Sequence, residues 1–168
     1  MIEAAGKLCD DEAMWRFSLS FYARPGVSEA LIALQDRAGF DVNLMLFALW
    51  LGVSGRSLTK EELAITDQIA QPIRADIVEP LRALRRKLRA DPDADIQGLR
   101  EGIKALELAA EKVIQVRLGR TARPGGGADP AARAAAARTN LAPYLGPEIA
   151  QSREAATIGE ALEAFLRD

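Results

Sequence analysis

The stretch VNLMLFALWLGV, Val42–Val53, decides the fold, because it is apolar except for Asn43 and Gly52. A helix that is apolar on every side is enclosed by other structure, whereas a half-exposed helix carries a polar face. The apolar run over residues 44–53 has ten residues, whereas a membrane-spanning helix needs about 20. Asp41 directly precedes it and is a favourable helix N-cap. We predict a buried central helix over residues 42–53 and no membrane insertion.

Two further helices are predicted before this stretch. Apolar residues recur every three or four positions over residues 27–38, and Gly39 supplies a C-terminal cap. The same spacing over residues 13–22 predicts a first helix, which Asp10 and Asp11 are placed to cap.

After the central stretch, Thr59 and Glu62 form a capping-box pattern at the start of a fourth helix. Pro72 and Pro80 each remove an amide donor, so residues 60–90 are predicted to form two or three helical pieces or a kinked rod.

The pair Asp91-Pro92 predicts the next break and a helix that starts at the proline. Within residues 92–118, apolar residues follow a heptad-like spacing. This seam consists of Ile96, Leu99, Ile103, Leu106, Ala110 and Val113, and ends at Arg117. It is expected to pack against a neighbouring helix or a second subunit, which makes the helix a candidate surface for homo-oligomers.

The rest of the chain is rich in small residues. Residues 121–128 contain three consecutive glycines and predict a mobile loop. An alanine-rich helix that buries little surface is expected from Pro130 to about Leu141, with breaks at Pro143 and Gly146. A short terminal helix is expected over residues 157–166.

The fold class that follows is all-α, a compact bundle of about six or seven helices around the central one. The chain has 168 residues, 49% hydrophobic and 27% charged, which is typical of one globular domain spanning residues 1–168.

Composition also excludes several kinds of chemistry. The chain has no histidine, which removes the commonest general base and a common metal ligand, so histidine-dependent nucleophile systems and histidine-ligated zinc are excluded. Neither catalytic residues nor a cofactor nor a metal site is expected. The single Cys9 has no intramolecular disulfide partner, and no secretory leader is evident, so we expect a cytoplasmic location.

One polar cluster lies between two apolar helices and is the best site candidate. It comprises Gln35, Asp36, Asp41 and Asn43. On the functional hypothesis these side chains line a pocket for a polar ligand or cation. On the structural hypothesis Asp41 caps a helix, Asn43 binds a backbone group and Asp36 pairs with an arginine.

Two glutamates four residues apart, Glu107 and Glu111, raise the question of a magnesium site with Asp36 or Asp41. Because both lie off the apolar seam, a solvated helix face is the preferred interpretation, and no metal site is predicted.

A run of cations supplies candidate anion-binding residues, namely Arg82, Arg85, Arg86 and Arg89. These side chains can bind phosphates or an acidic partner. Alternatively, they complement the negative end of a helix and cover apolar surface with their stems. Nucleic acid is the less favoured partner, since the net charge is −2 and no aromatic residues accompany the run.

The aromatic residues of the first and central helices are expected to be core. They are Trp15, Phe17, Phe21, Tyr22, Phe47 and Trp50.

The segment L-Q-D-x-x-G-x-D-V-N-L over residues 34–44, followed by F-x-L-W-L-G over residues 47–52, resembles an uncharacterised family of small, mainly proteobacterial helical proteins. The resemblance covers about residues 14–115 and implies no activity, because the family is known only as a domain of unknown function. Residues 121–138 lie outside it and look like an insertion.

Function is thus left as three hypotheses. The first is a non-enzymatic protein-interaction or adaptor module with an unknown protein partner. The alternative is a small-ligand or anion-binding helical enzyme that uses the polar cluster with Arg85 and Arg86. A further alternative is nucleic-acid binding through residues 82–89.

Overall fold

The computed structural model describes residues 12–126 and 128–168, all of whose regular structure is helical. The helices are α1 (Ala13–Tyr22), α2 (Val27–Ala38), α3 (Val42–Val53), α4 (Lys60–Ile73), α5 (Glu79–Lys87), α6 (Ala94–Thr121), α7 (Pro130–Ile149) and α8 (Arg153–Arg167). A π-helical turn, Arg74–Val78, joins α4 to α5 in one rod, so these residues form seven rods. The predicted all-α bundle is confirmed. Cys9 and the predicted caps Asp10 and Asp11 lie outside the described residues.

Helix α3 is the centre of the bundle, as predicted. Every residue from 43 to 53 is buried, and the helix contacts α1, α2, α4, α6 and α7. Asp41 caps it by accepting a hydrogen bond from the Asn43 amide at 2.7 Å. In the described part of the chain, the helices are too short or too polar to cross a membrane.

The alanine-rich helix α7 is the closest neighbour of α3, and the expectation that it buries little surface is wrong. A Cβ added to Gly52 would lie 2.1 Å from the Ala137 Cα, so the two backbones touch where they cross. Small side chains allow such an approach, which brings Ala134, Ala137 and Leu141 into the core. Residues 130–138 are therefore an integral part of the bundle.

Asn140 of α7 holds the connection between α3 and α4. Its buried amide donates to the Ala48 carbonyl at 3.2 Å and to the Arg56 carbonyl at 2.8 Å, and its Oδ1 accepts from the Leu58 amide at 2.7 Å. The Arg56 carbonyl and the Leu58 amide lie between the two helices, so Asn140 supplies partners that no helix provides.

The rod from α4 to α5 consists of helical pieces, one of the arrangements that the prolines predict. The Thr59–Glu62 capping box starts α4, which continues through Pro72. Pro80 lacks the amide that would bond the Asp76 carbonyl, and the wider π turn immediately precedes it. Helix α4, the π turn and α5 all contact α6.

Helix α6 begins two residues after the predicted proline start. Asp93 caps it through the Asp95 amide at 2.8 Å, and the first helical residue is Ala94. Carboxylate capping at Asp93 explains why the helix starts after Pro92.

The side of α6 that faces the bundle also differs from the predicted seam. Its buried residues are Ile103, Glu107, Ile114, Gln115 and Leu118. Leu99, Leu106 and Val113 are 57%, 60% and 44% exposed. These three residues, half of the seam's six apolar residues, are therefore not buried within the protomer, whereas Ile103 is buried and Ala110 packs against the core. Packing of the exposed half on a second subunit stays a prediction.

Helix α7 passes through Pro143, where a break was predicted, and bends at Gly146, where φ is 77°. Pro143 and Thr139, whose carbonyl loses its donor, are exposed, so water can solvate that carbonyl. In the predicted mobile loop, the Gly125 amide donates to Ser54 Oγ at 2.9 Å. The mobility of that loop stays a prediction.

Helix α8 begins at Arg153, four residues before the predicted start, because Ser152 caps it through the Ala155 amide. Its Phe165 ring packs edge-on against Phe17 and Phe21, with ring centroids 5.5 and 5.8 Å away. The end of the chain therefore joins the same core as α1.

Candidate functional site

The predicted polar cluster lies where α2 and α3 face the π turn and α5. Asp41 accepts from Arg74 Nη1 at 2.6 Å, and its backbone amide donates to Tyr144 Oη at 2.9 Å. Asp36 accepts from Arg86 Nη2 at 2.8 Å. The structural hypothesis predicted the helix cap made by Asp41 and the arginine partner of Asp36. It did not predict the contacts of Asp41 with Arg74 and Tyr144.

Asn43 makes a different contact from the predicted one, because its Oδ1 accepts a hydrogen bond from a side chain, Gln115 Nε2, at 2.9 Å. Both residues are buried between α3 and α6. A buried amide pair fixes the relative rotation of the two helices, since each group needs a partner away from water.

An arginine–glutamate cluster lies beside this pair. Arg82 donates to Glu107 from Nε and to Glu111 from Nη2, both at 2.9 Å. Arg85 donates two hydrogen bonds to Glu107, at 2.6 and 3.2 Å. Glu107 is 6% exposed, so the interpretation of these glutamates as a solvated face is wrong.

The cause of that error is the orientation of α5. Its bundle side carries Arg82 and Arg85, while Leu84 is 45% exposed. Two carboxylates on the facing helix make it favourable to turn the arginines inward.

The electrostatics of the cluster differ between its two glutamates. Burial acts to raise the pKa of Glu107, but the hydrogen bonds from Arg85 and Arg82 outweigh it, and the pKa lies below its ordinary value. Burial raises the pKa of Glu111, and Arg82 offsets only part of this effect. The Glu107 hydrogen bond raises the pKa of Arg85. The two arginines and two glutamates together carry no net charge.

Two cavities flank the cluster, and the Arg82–Gln35 hydrogen bond of 3.0 Å lies between them. The first, about 450 Å³, has apolar walls and a polar floor. Its walls include Trp15, Leu19, Ile32 and Leu108, and its floor includes Ser18, Arg82, Glu111 and Gln115. The second, about 660 Å³, is more polar and is lined by both aspartates of the predicted cluster with Arg74 and Tyr144. Gln35, Asn43, Arg82 and Arg86 line both cavities.

Two buried polar atoms in the first cavity's lining residues lack a hydrogen-bond partner. In the described part of the chain, Ser18 Oγ and Gln115 Oε1 have none, although their residues are only 3% and 4% exposed. An unpartnered buried polar group costs about 1–3 kcal/mol. Two other such atoms, on Arg56 and Arg100, belong to residues that line neither cavity.

The aromatic residues divide into core and cavity. Phe17, Phe21, Phe47 and Trp50 are buried, as predicted. Trp15 and Tyr22 are only partly buried and line the first cavity, which corrects the expectation that they are core. Burial and the nearby Glu111 raise the pKa of Tyr22.

Of the predicted cations, Arg89 lies in the turn after α5 and lines neither cavity. Ser18 and Gln115 were missed. The sequence held a signal for Ser18, because its neighbours one turn away, such as Met14 and Phe21, are apolar. It held none for Gln115, whose neighbours at that spacing include Glu111 and Lys112.

Glu107 and Glu111, which the sequence analysis considered as magnesium ligands, form ion pairs with arginines. Over residues 12–126 and 128–168, no three histidine, cysteine, aspartate or glutamate side chains are grouped to hold a metal ion.

Comparison with known families gives one match. Residues 13–118 match a family model described as "Protein of unknown function (DUF2390)". The match runs from α1 almost to the end of α6 and includes the cluster and the walls of the first cavity. No curated protein and no solved structure matches the chain.

Proposed function

The chain belongs to the DUF2390 family of proteins of unknown function, and we propose that it is a small-molecule-binding protein. Because the family description gives no activity, the proposal rests on the geometry of the chain's own residues. The ligand site is the first cavity, between α1, α2 and α3 on one side and α5 and α6 on the other. The ligand is amphipathic, with an apolar body and a polar head that carries no net charge.

The observation that carries this proposal is the pairing of a cavity with unsatisfied polar groups. A volume of about 450 Å³ falls in the range of small-molecule pockets, about 300–1,000 Å³. Ser18 and Gln115 line it, and each has a buried atom that no protein group satisfies. A ligand that supplies an N–H or O–H to Gln115 Oε1 removes that cost.

The walls define the apolar part of the ligand. Leu19 and Leu108 are 50% and 49% exposed, and Ile32 is 43% exposed. With Trp15, they form an apolar mouth, and large apolar side chains grouped around an opening are typical of ligand-binding surfaces. A flat aromatic or branched aliphatic body can cover them.

The floor defines the head. Arg82 and Arg85 are balanced by Glu107 and Glu111, so the floor offers hydrogen bonds rather than a net field. Arg86 at the rim is paired with Asp36. A neutral or zwitterionic head is therefore favoured over an anion. This differs from the anion-binding hypothesis, in which Arg85 and Arg86 bind an anion.

The other hypotheses stay predictions, among them an adaptor role, nucleic-acid binding through residues 82–89 and a cytoplasmic location. The ligand-binding proposal requires no chemical reaction, and it makes no prediction about enzyme activity.

The proposal is tested by thermal shift and tryptophan fluorescence with aromatic and aliphatic primary amides, alongside their carboxylate and hydrocarbon counterparts. Binding stabilises the native state by mass action, so an amide at 100 times its Kd adds about 2.7 kcal/mol. Trp15 lies in the cavity wall whereas Trp50 is core, so we expect emission to change in the wild type and not in Trp15→Phe.

A matched pair of variants locates the site. Leu19→Arg places a long cation in the mouth, and Ile65→Arg makes the same change at a residue of similar exposure outside both cavities. We expect amide affinity to fall at least tenfold in Leu19→Arg and to be unchanged in Ile65→Arg. Equal affinity in both variants, preference for the carboxylates, or no response to any amide would overturn the proposal.

A further inference from the structure

The outward side of α6 is apolar over four turns. We call the apolar face of α6 the six residues Leu99, Gly102, Ala105, Leu106, Ala109 and Val113. All six are exposed, and the three large ones are 57%, 60% and 44% exposed. From residue 99 to residue 113 the face is about 21 Å long at 1.5 Å per residue.

This pattern is unusual for a helix at a protein surface. The solvent side of an amphipathic helix is normally charged, because charged side chains remain hydrated there. The charged residues Glu101 and Lys112 lie to one side of the apolar face, and Lys104 lies on the far side of the helix, where it lines the first cavity. Exposed apolar patches of this kind mark interaction surfaces.

Gly102 supplies an independent observation. Glycine in the middle of a helix costs about 1 kcal/mol relative to alanine. A Cβ added at Gly102 would meet no atom within 4 Å, so nothing in the protomer requires glycine there. A second backbone that packs closely on this face supplies a reason for it.

Charge and symmetry indicate that the second backbone is α6 of another copy of this chain. Leu99 and Val113 lie equally far along the helix on either side of Leu106, and so do Asp95 and Arg117, which are both exposed. A two-fold axis at Leu106 brings Leu99 against Val113 of the partner subunit. It also brings Asp95 against Arg117 of the partner subunit, so both ends of the face are complementary.

We infer that the apolar face of α6 is the contact of an antiparallel homodimer, with Leu106 at the two-fold axis. The contact is isologous, because the same surface serves both protomers. It is independent of the proposed ligand site, whose α6 residues, among them Glu107, Glu111 and Gln115, lie on other sides of the helix.

The test is molar mass by light scattering and sedimentation, with the full chain from micromolar to submillimolar concentration. We expect the mass of a dimer for the wild type and of a monomer for Leu106→Glu, with circular dichroism unchanged because Leu106 is exposed. Ile77→Glu, at an exposed isoleucine of the π turn, is the control and remains dimeric.

Charge reversal tests the antiparallel arrangement. Asp95→Arg and Arg117→Asp are each expected to weaken the dimer severalfold through repulsion at both ends, and the double variant regains the wild-type affinity. A monomeric wild type, a dimeric Leu106→Glu, or a double variant no tighter than the single ones overturns the inference.

Discussion

Gly52→Ala is expected to lower the free energy of unfolding by about 3 kcal/mol, at the upper end of the usual cost of overpacking. The added Cβ would lie 2.1 Å from the Ala137 Cα and 2.3 Å from its nitrogen. These are backbone atoms, so no side-chain rotation relieves the clash, and α3 and α7 have to move apart. The measurement is urea denaturation followed by circular dichroism.

The control for Gly52→Ala is Gly98→Ala on α6. A Cβ at Gly98 meets nothing within 4 Å, so this variant is expected to gain up to about 1 kcal/mol from helix propensity. Both substitutions are made in the Leu106→Glu background, which removes self-association from the comparison. A Gly52→Ala protein as stable as its parent would contradict the close crossing of α3 and α7.

Glu107→Gln is the second substitution with a large expected effect, also a loss of about 3 kcal/mol at neutral pH, because removing one partner of a buried ion pair leaves the other uncompensated. Arg85 loses its carboxylate partner, whereas Arg82 keeps Glu111. Here one carboxylate serves two arginines, and the side chain of Glu107 is 9% exposed while those of Arg82 and Arg85 are 17% and 25% exposed. The measurement is denaturant unfolding at neutral pH.

The matched control is Glu101→Gln, on the same helix. The Glu101 side chain is 60% exposed, and its pairs with Arg100 and Lys104 lie at the surface. Such pairs contribute about 0–1 kcal/mol, so little change is expected. If both variants lose the same free energy, Glu107 does not hold α5 on α6.

The pH dependence of Glu107→Gln follows from the lowered pKa of Glu107. A carboxyl whose pKa is lower in the folded state contributes stability above its unfolded pKa, about 4.3, and loses it as pH falls through the folded pKa. The wild type is therefore expected to lose its advantage over the variant as the pH falls below about 4.3. Glu111, whose pKa is raised, has the opposite effect and is present in both proteins.

The sequence predicted many residues of the candidate site but not the contacts that they make. Gln35, Asp41 and Asn43 were identified because polar side chains stood between apolar helices, and they do line cavities. Their distant partners Gln115 and Tyr144 were not identified. Helical periodicity relates residues within one helix and does not indicate which other helix packs against them.

The sequence by itself determined the helical class, the bounds of α1, α2 and α3 and the capping box at the start of α4. These are local properties, since caps and apolar spacing act within a few residues of the chain. Only the tertiary structure decided that the alanine-rich α7 crosses α3 at Gly52, and that α6 turns Glu107 inward and Leu106 outward. The reason is that backbone proximity and ion pairing join residues far apart in sequence: Ala137 fits because Gly52 has no side chain, and Glu107 is buried because Arg82 and Arg85 neutralise it.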